Sequence, residues 1–319
     1  MRHHHKTLQA AKQAAGQMAG RRSLVAMALA AAALGLWARQ ARAQGMADHV
    51  PADAMVYMEW AGMDAAGEGY KGSNLEGIVN ALDIRGRIEK ALSQAQEAAA
   101  DEPDKKAGIA LMKGWTESVI HAPGMLYVGP VDFTGATPMP KIAVVSKVGS
   151  SRAQEMAALA QSAIDKKEKD PNTPPISVVA SGDYLVLNVG AGVAADKWMA
   201  TAPGEALSAS AKFKAAMAQS KVPGVPVLSL YVDGAAGVQS LLEATTKIPQ
   251  PEVQQFAPVI IDAMGLSALR SISGTGAFEG KGWVSRGFVG LEGERKGLMG
   301  FFDYPALTPE SYAMIPSGA

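Results

Sequence analysis

Three times along this chain two apolar runs stand next to each other with little more than a turn between them. "GMLYVGPVDF" and "KIAVVSKVG" are separated by "TGATPMP", "ISVVAS" and "YLVLNVG" by Gly182-Asp183, and "ALRSISGTGAFEG" runs almost directly into "GWVSRGFVGLEG". Strands joined so closely can only pair antiparallel, because a parallel pair needs a crossover of a dozen residues or more. Helical patterns interrupt them. Leu75, Ile78, Val79 and Leu82 recur at helical spacing behind Ser73 as a capping residue, and Ile88, Leu92 and Ala95 continue a second helix. A third places Leu111, Met112, Trp115 and Val119 on one face. Met156, Leu159, Ala160, Ala163 and Ile164 form an apolar stripe behind a Ser151/Gln154 capping box. Shorter helices are expected near 193–201 and 207–219, and further ones over 235–247 and 252–264. The fold class is therefore α+β, with a largely antiparallel sheet and packed helices.

Two short strands carry the same pattern of aliphatic, Tyr, aliphatic, acid: Val56-Tyr57-Met58-Glu59 and Leu230-Tyr231-Val232-Asp233. Each is followed by a Gly/Ala segment, then helices, then paired strands. The chain thus reads as two related halves of strand, helices and hairpin, with a helix-and-hairpin insert between them. Residues 44–304 form one α+β domain on this reading, and "GLMGFFDY" over 297–304 is expected as a buried strand or sheet edge. Beyond it Pro305, Pro309 and Pro316 interrupt any regular element, so 305–319 reads as a linker-like tail leading toward a further copy, of low burial and high mobility.

Residues 1–43 are of another kind. A polar, purely basic stretch precedes "SLVAMALAAAALGLW", and Ala41-Arg42-Ala43 supplies a small-x-small cleavage site. The apolar run spans 15 residues, against the roughly 20 that cross a bilayer. A cleaved export signal is expected, with mature protein beginning at Gln44, and an uncleaved single-span anchor is the alternative. Arg21-Arg22 with an Ala-rich core resembles a twin-arginine signal, although Leu24-Val25 stands where the strongest versions have Phe-Leu. The expected location is periplasmic or extracellular.

Removing that segment changes the charge balance. Seven of the 30 basic residues lie there and none of the 30 acidic ones, which leaves 23 against 30 and a net charge of −7. A nucleic acid or an anionic membrane surface demands basic patches, so neither is an expected partner, and no stable membrane insertion is expected after cleavage. With no cysteine in the chain, disulfides, thiolate nucleophiles and a lipid anchor on Cys are excluded.

The segments "VPADAMVYMEWAG", "ALSASAKFKAAM" with "LSLYVDGAAG", and "GLSALRSISGTGAF" resemble exported proteins of planctomycete-type bacteria known only as a domain of unknown function. The resemblance extends over most of residues 49–319. It implies an exported α+β protein, often with a further domain-sized stretch, and it brings no activity, ligand or functional residue with it.

Motifs with chemistry are few. Gly190, Gly192 and Ala195 satisfy G-x-G-x-x-A, but the acid that should hold a ribose belongs at the end of the next strand within about 20 residues, that strand ends only at Asp233, 43 residues beyond Gly190, and the preceding strand reads as half of a hairpin. A glycine-relaxed turn is the expected reading, with no cofactor. His49, expected at a frayed terminus, and His121, expected at a helix end, are the only histidines after residue 43. No metal loop or nucleophile elbow accompanies them, so no metal site is expected. Glu59 and Asp233 remain. If the two strands brought them together they could share acid–base work on a glycan. Otherwise each caps the segment after its strand. The expectation is an exported, non-enzymatic binding or structural module, with an acid–base hydrolase of a cell-envelope polymer or glycan using Glu59 and Asp233 as the alternative.

Overall fold

The computed structural model describes residues 45–62, 67–98, 121–133, 138–165, 174–190, 205–247 and 251–303, together with 109, 113 and 114. In chain order the strands are β1 (Val56–Trp60), β2 (Gly124–Asp132), β3 (Met139–Lys147), β4 (Ile176–Ser181), β5 (Tyr184–Gly190), β6 (Leu228–Asp233), β7 (Leu269–Glu279) and β8 (Gly282–Leu291). The helices are α1 (Gly67–Tyr70), α2 (Asn74–Ala81), α3 (Ile84–Ala98), α4 (Ser150–Asp165), α5 (Ala211–Gln219), α6 (Gly234–Lys247) and α7 (Pro251–Ala263). The strands form one sheet in the order β4-β5-β3-β2-β1-β6-β7-β8, and every pairing is antiparallel. The expected α+β class holds.

The two matching strands lie side by side at the centre. β1 pairs with β6 so that Tyr57 faces Tyr231, Val56 faces Val232 and Met58 faces Leu230. From that seam β2 and β3 extend one way, and β7 and β8 extend the other. The α4 helix and the β4–β5 hairpin add to the β3 side. The strand, helices, hairpin order of each half is thus laid out with opposite sense about the β1/β6 seam.

Alternation along the strands sends side chains to two faces. On one face Tyr57, Met125, Tyr127, Ala143, Val145, Val186 and Tyr231 are buried beneath Met46, Ala47, Val50, Leu207 and Ala216. The cover is α5 and two 3₁₀ turns, Met46–Asp48 and Leu207–Ala209. The turns are tied together where the Leu207 amide donates to the Val50 carbonyl at 2.6 Å and the Ala52 amide to Glu205 at 2.9 Å. β7 holds the end of α5: the Ser273 hydroxyl donates to the Ala216 carbonyl at 2.8 Å, and Thr275 donates to Ser220. Those carbonyls lie in the last turn, where the helix itself offers no donor.

On the other face Trp60, Leu126 and Val144 are buried together, and α4 lays Ala153, Met156, Ala157 and Ala160 against Val178 and Leu185. The helix is the expected one, but its buried stripe is turned. It begins at Ser150, after Gly149 at φ 86°, and Leu159 is 57% exposed. Residues 153, 156, 157 and 160 also recur at helical spacing, and three alanines let the helix approach the hairpin closely, so the small face goes inward.

Other expectations are met in part. Ser73 caps α2 by accepting from the Glu76 amide at 3.1 Å, and Glu76 accepts from Gly72 at 2.6 Å, yet Ile78 and Leu82 of the expected stripe are exposed. Gly182, at φ 56°, makes the β4–β5 turn. The 297–304 stretch is not a strand. Gly297–Asp303 is a 3₁₀ helix with Leu298, Phe301 and Phe302 exposed. Gly297 takes φ 56° against the carbonyl of Ala263, a conformation that turns the chain instead of extending it. The expected signal over 1–43, the third helix around 111–119 apart from its helical residues 113 and 114, the 193–201 helix and the tail over 305–319 lie outside the described residues.

Candidate functional site

Tyr127, Tyr57 and Tyr231 stand opposite one another on β2, β1 and β6, forming a row of three buried phenols across the middle of the sheet. Phe213 of α5 covers it, with its ring edge-on to Tyr57 at 5.8 Å and to Tyr231 at 5.2 Å between centroids. Each phenol has an acid near it. Tyr57 donates to Glu59 Oε2 at 2.7 Å, and Tyr127 donates to Asp53 Oδ1 at 2.8 Å. Asp233 lies two residues beyond Tyr231, on the same face. Burial first, and then the neighbouring carboxylate, raises the pKa of all three phenols, that of Tyr231 to about 12.

Glu59 is itself 8% exposed and is the one acidic or basic side chain among the buried described residues. It accepts from the Tyr57 hydroxyl and, at 3.4 Å, from the Met46 amide. Burial raises its pKa, the two hydrogen bonds oppose that rise, and the charge of Asp48 adds to it. The residue does not cap the segment after its strand. It faces back toward the 3₁₀ turn at Met46–Asp48. Asp233 does act as a cap. Its Oδ1 accepts from the Ala236 amide in the first turn of α6 at 3.0 Å, while Oδ2 meets Lys212 at 3.3 Å.

The antiparallel register separates the two acids. Glu59 is opposite Ser229, and Asp233 lies beyond Val56, donating its amide to Met55. Their positions are four residues apart along the strands, about 14 Å at 3.4 Å per residue. Carboxylate pairs that hydrolyse glycosides stand about 5–9.5 Å apart. Burial and a raised pKa suit a general acid, but each of the two acids meets a partner of the chain itself.

The remaining candidates fall elsewhere. Gly190 ends β5 at φ 85° against the Pro140 carbonyl, and β5 is antiparallel to both its neighbours. A dinucleotide turn comes after a strand of a parallel sheet, so Gly190 serves a close strand approach; Gly192 and Ala195 lie outside the described residues. His49 is not at a frayed end. It is half-buried beside fully buried Val50, with its ring 6.5 Å from that of Tyr184. His121 is exposed at a helix end. Among the described residues, no three His, Asp or Glu side chains gather to hold a metal, and no helix is long and apolar enough to cross a membrane.

Sequence reasoning found Tyr57, Glu59, Tyr231 and Asp233 through their repeated pattern but missed Tyr127 and Asp53. Leu126-Tyr127-Val128 repeats the aliphatic, Tyr, aliphatic signal, with Gly129 where the acid would stand. That glycine is required because the Tyr127 ring lies over it. Comparison of the chain with protein-family models, with curated proteins and with solved structures finds no match.

Proposed function

We propose that this chain is an exported, non-enzymatic binding or structural module, delivered to the periplasm or the cell exterior after removal of residues 1–43, and related to the planctomycete-type proteins its segments resemble. The observation that carries the reading is the disposition of its two candidate acids. Asp233 holds the first turn of α6, Glu59 holds the residues before β1, and the register keeps them about 14 Å apart. Acid–base hydrolysis of an envelope glycan would require both to leave these partners and converge on one bond.

The test pairs two measurements on protein recovered from an exporting host. N-terminal sequencing should give Gln44 as the first residue, and an intact Met1 in exported material would refute the export half. Incubation with purified envelope glycan should release no soluble fragments. Fragment release that Glu59→Gln or Asp233→Asn abolishes would establish the hydrolase instead.

A further inference from the structure

We propose that β8 is an interface strand: it pairs antiparallel with β8 of a second copy of this chain, about a two-fold axis at Gly287, and joins the two sheets edge to edge. The pairing does not depend on removal of residues 1–43.

β8 is the last strand of the sheet, with β7 on one side of it. The two-residue turn before it makes Glu279 and Gly282 a hydrogen-bonded pair, and the register then runs unbroken to Ser271 and Gly290. Bonded and non-bonded pairs alternate along an antiparallel ladder. Val284, Arg286 and Phe288 therefore bond to β7, while Trp283, Ser285, Gly287 and Val289 turn amide and carbonyl away from it. β7 shows the same alternation from its other side: the Val227 amide, just before β6, donates at 2.8 Å to the carbonyl of Gly276, the residue opposite Ser285. Ser285, Arg286 and Gly287 are exposed. The middle of the strand thus presents backbone donors and acceptors outward in the pattern that an added strand takes up.

Sheets that stay single guard such an edge with lysine, proline, a bulge or a short strand. β8 is 10 residues long and contains neither lysine nor proline. Its one charged side chain, Arg286, is drawn to the loop after α5, where Nη1 donates to the Lys221 carbonyl at 2.9 Å. The opposite edge is built otherwise, since β4 has 6 residues and follows Pro174-Pro175.

What surrounds the strand fits a second copy. An antiparallel pair centred on Gly287 sets Ser285 opposite the partner's Val289, and Lys281 opposite the partner's Gly293, between Glu292 and Glu294. Glu279, the other charge near Lys281, stands one strand further from the edge. Centring the pair one residue earlier would set Arg286 against its own copy, so charge selects the axis. The ends of the strand also carry apolar surface. At its start α2 packs against β8, the Asn74 amide donates to the Lys281 carbonyl at 3.1 Å, and Ile78 and Leu82 are exposed. After its end Leu298, Phe301 and Phe302 are exposed in the 3₁₀ helix. Antiparallel pairing carries the start of one strand to the end of the other, so the α2 group of each copy comes to the 3₁₀ group of its partner. Such self-complementarity is what a two-fold interface requires.

The experiment uses protein recovered from cells that express the full chain. Sedimentation equilibrium should give a dimer. Amide exchange read by NMR should show Trp283, Ser285, Gly287 and Val289 protected together with the alternate amides that bond to β7. Two variants disturb the outward side alone. A Cβ at Gly287 meets nothing closer than the Ser273 carbonyl at 3.9 Å, so Gly287→Lys is accommodated in one copy but places two ammonium groups at the axis. Ser285→Pro removes one outward amide, a change that an edge strand tolerates. Each variant should sediment as a monomer with an unaltered circular dichroism spectrum, its outward β8 amides exchanging freely while those of Val284 and Phe288 stay protected. If one variant fails to fold, the other and the exchange pattern of the native chain decide. A native chain that is monomeric at every concentration overturns the pairing. So do a dimer whose outward β8 amides exchange freely, a dimer that both folded variants keep, and protection of those amides in a monomer, which would show the edge closed by the chain itself.

Discussion

At the scale of single residues, the acids and phenols of the central seam work as structural fasteners. Asp233 offers the plainest case. Asp233→Ala removes the α6 cap and the contact with Lys212, and should lower stability by about 1 kcal/mol in chemical denaturation, with Asp233→Asn retaining most of it. Tyr57→Phe is a more severe change although it deletes one oxygen. It takes from buried Glu59 its 2.7 Å hydrogen bond and should cost about 1–3 kcal/mol. Tyr127→Phe frees an Asp53 that sits in a turn before β1, where water can replace the lost partner, so the loss should be smaller than for Tyr57→Phe. Equal losses at the two tyrosines would mean that Glu59 is not the more demanding acceptor.

At the scale of elements, close approach decides what the sequence pattern leaves open. Trp60 packs against Gly124 on the neighbouring strand, with its Nε1 donating to the Ala122 carbonyl at 3.1 Å. A Cβ at Gly124 would enter that ring and stand 2.7 Å from the Val145 carbonyl, and neither can retreat. Gly124→Ala should therefore cost about 1–3 kcal/mol, measurable as a lower denaturation midpoint with an unchanged slope. The orientation of α4 is tested by two truncations. Met156→Ala should cost about 2–5 kcal/mol as a core deletion. Leu159→Ala, on the exposed side, should change stability by less than about 0.5 kcal/mol. Reversed magnitudes would restore the stripe expected from the apolar residues alone.

For the molecule as a whole, the seam makes the two halves one body. The cluster beneath Phe213 contains Tyr57 and Tyr127 from one half and Tyr231 from the other, and the N-terminal residues 46–50 pack into it. Separating the halves would expose both central strands along their full length, with the phenols and Met125 beside them. Thermal unfolding should then be a single transition, the same by far-UV circular dichroism and by tryptophan fluorescence, with Trp60 reporting on β1 and Trp283 on β8. Two separated transitions would show that the strand, helices, hairpin units fold independently.

How far the sequence alone reached depends on the range of each signal. Hairpin spacing fixed the antiparallel class, because a turn of a few residues permits no other pairing. Glycine and serine marked the β4–β5 turn and the α2 cap, since both depend on the few residues nearest them. The repeated Val-Tyr-Met-Glu and Leu-Tyr-Val-Asp pattern identified the two strands that lie at the centre. What it could not contain was their mutual direction. The antiparallel register aligned the tyrosines and, by the same geometry, drove Glu59 and Asp233 to opposite ends. Tertiary packing also decided that α4 buries alanines and turns Leu159 outward, and that 297–303 coils at the end of α7 instead of forming a ninth strand. Each outcome depends on a partner distant in sequence: which strand lies alongside, which surface admits a small face, and which turn receives the end of a helix.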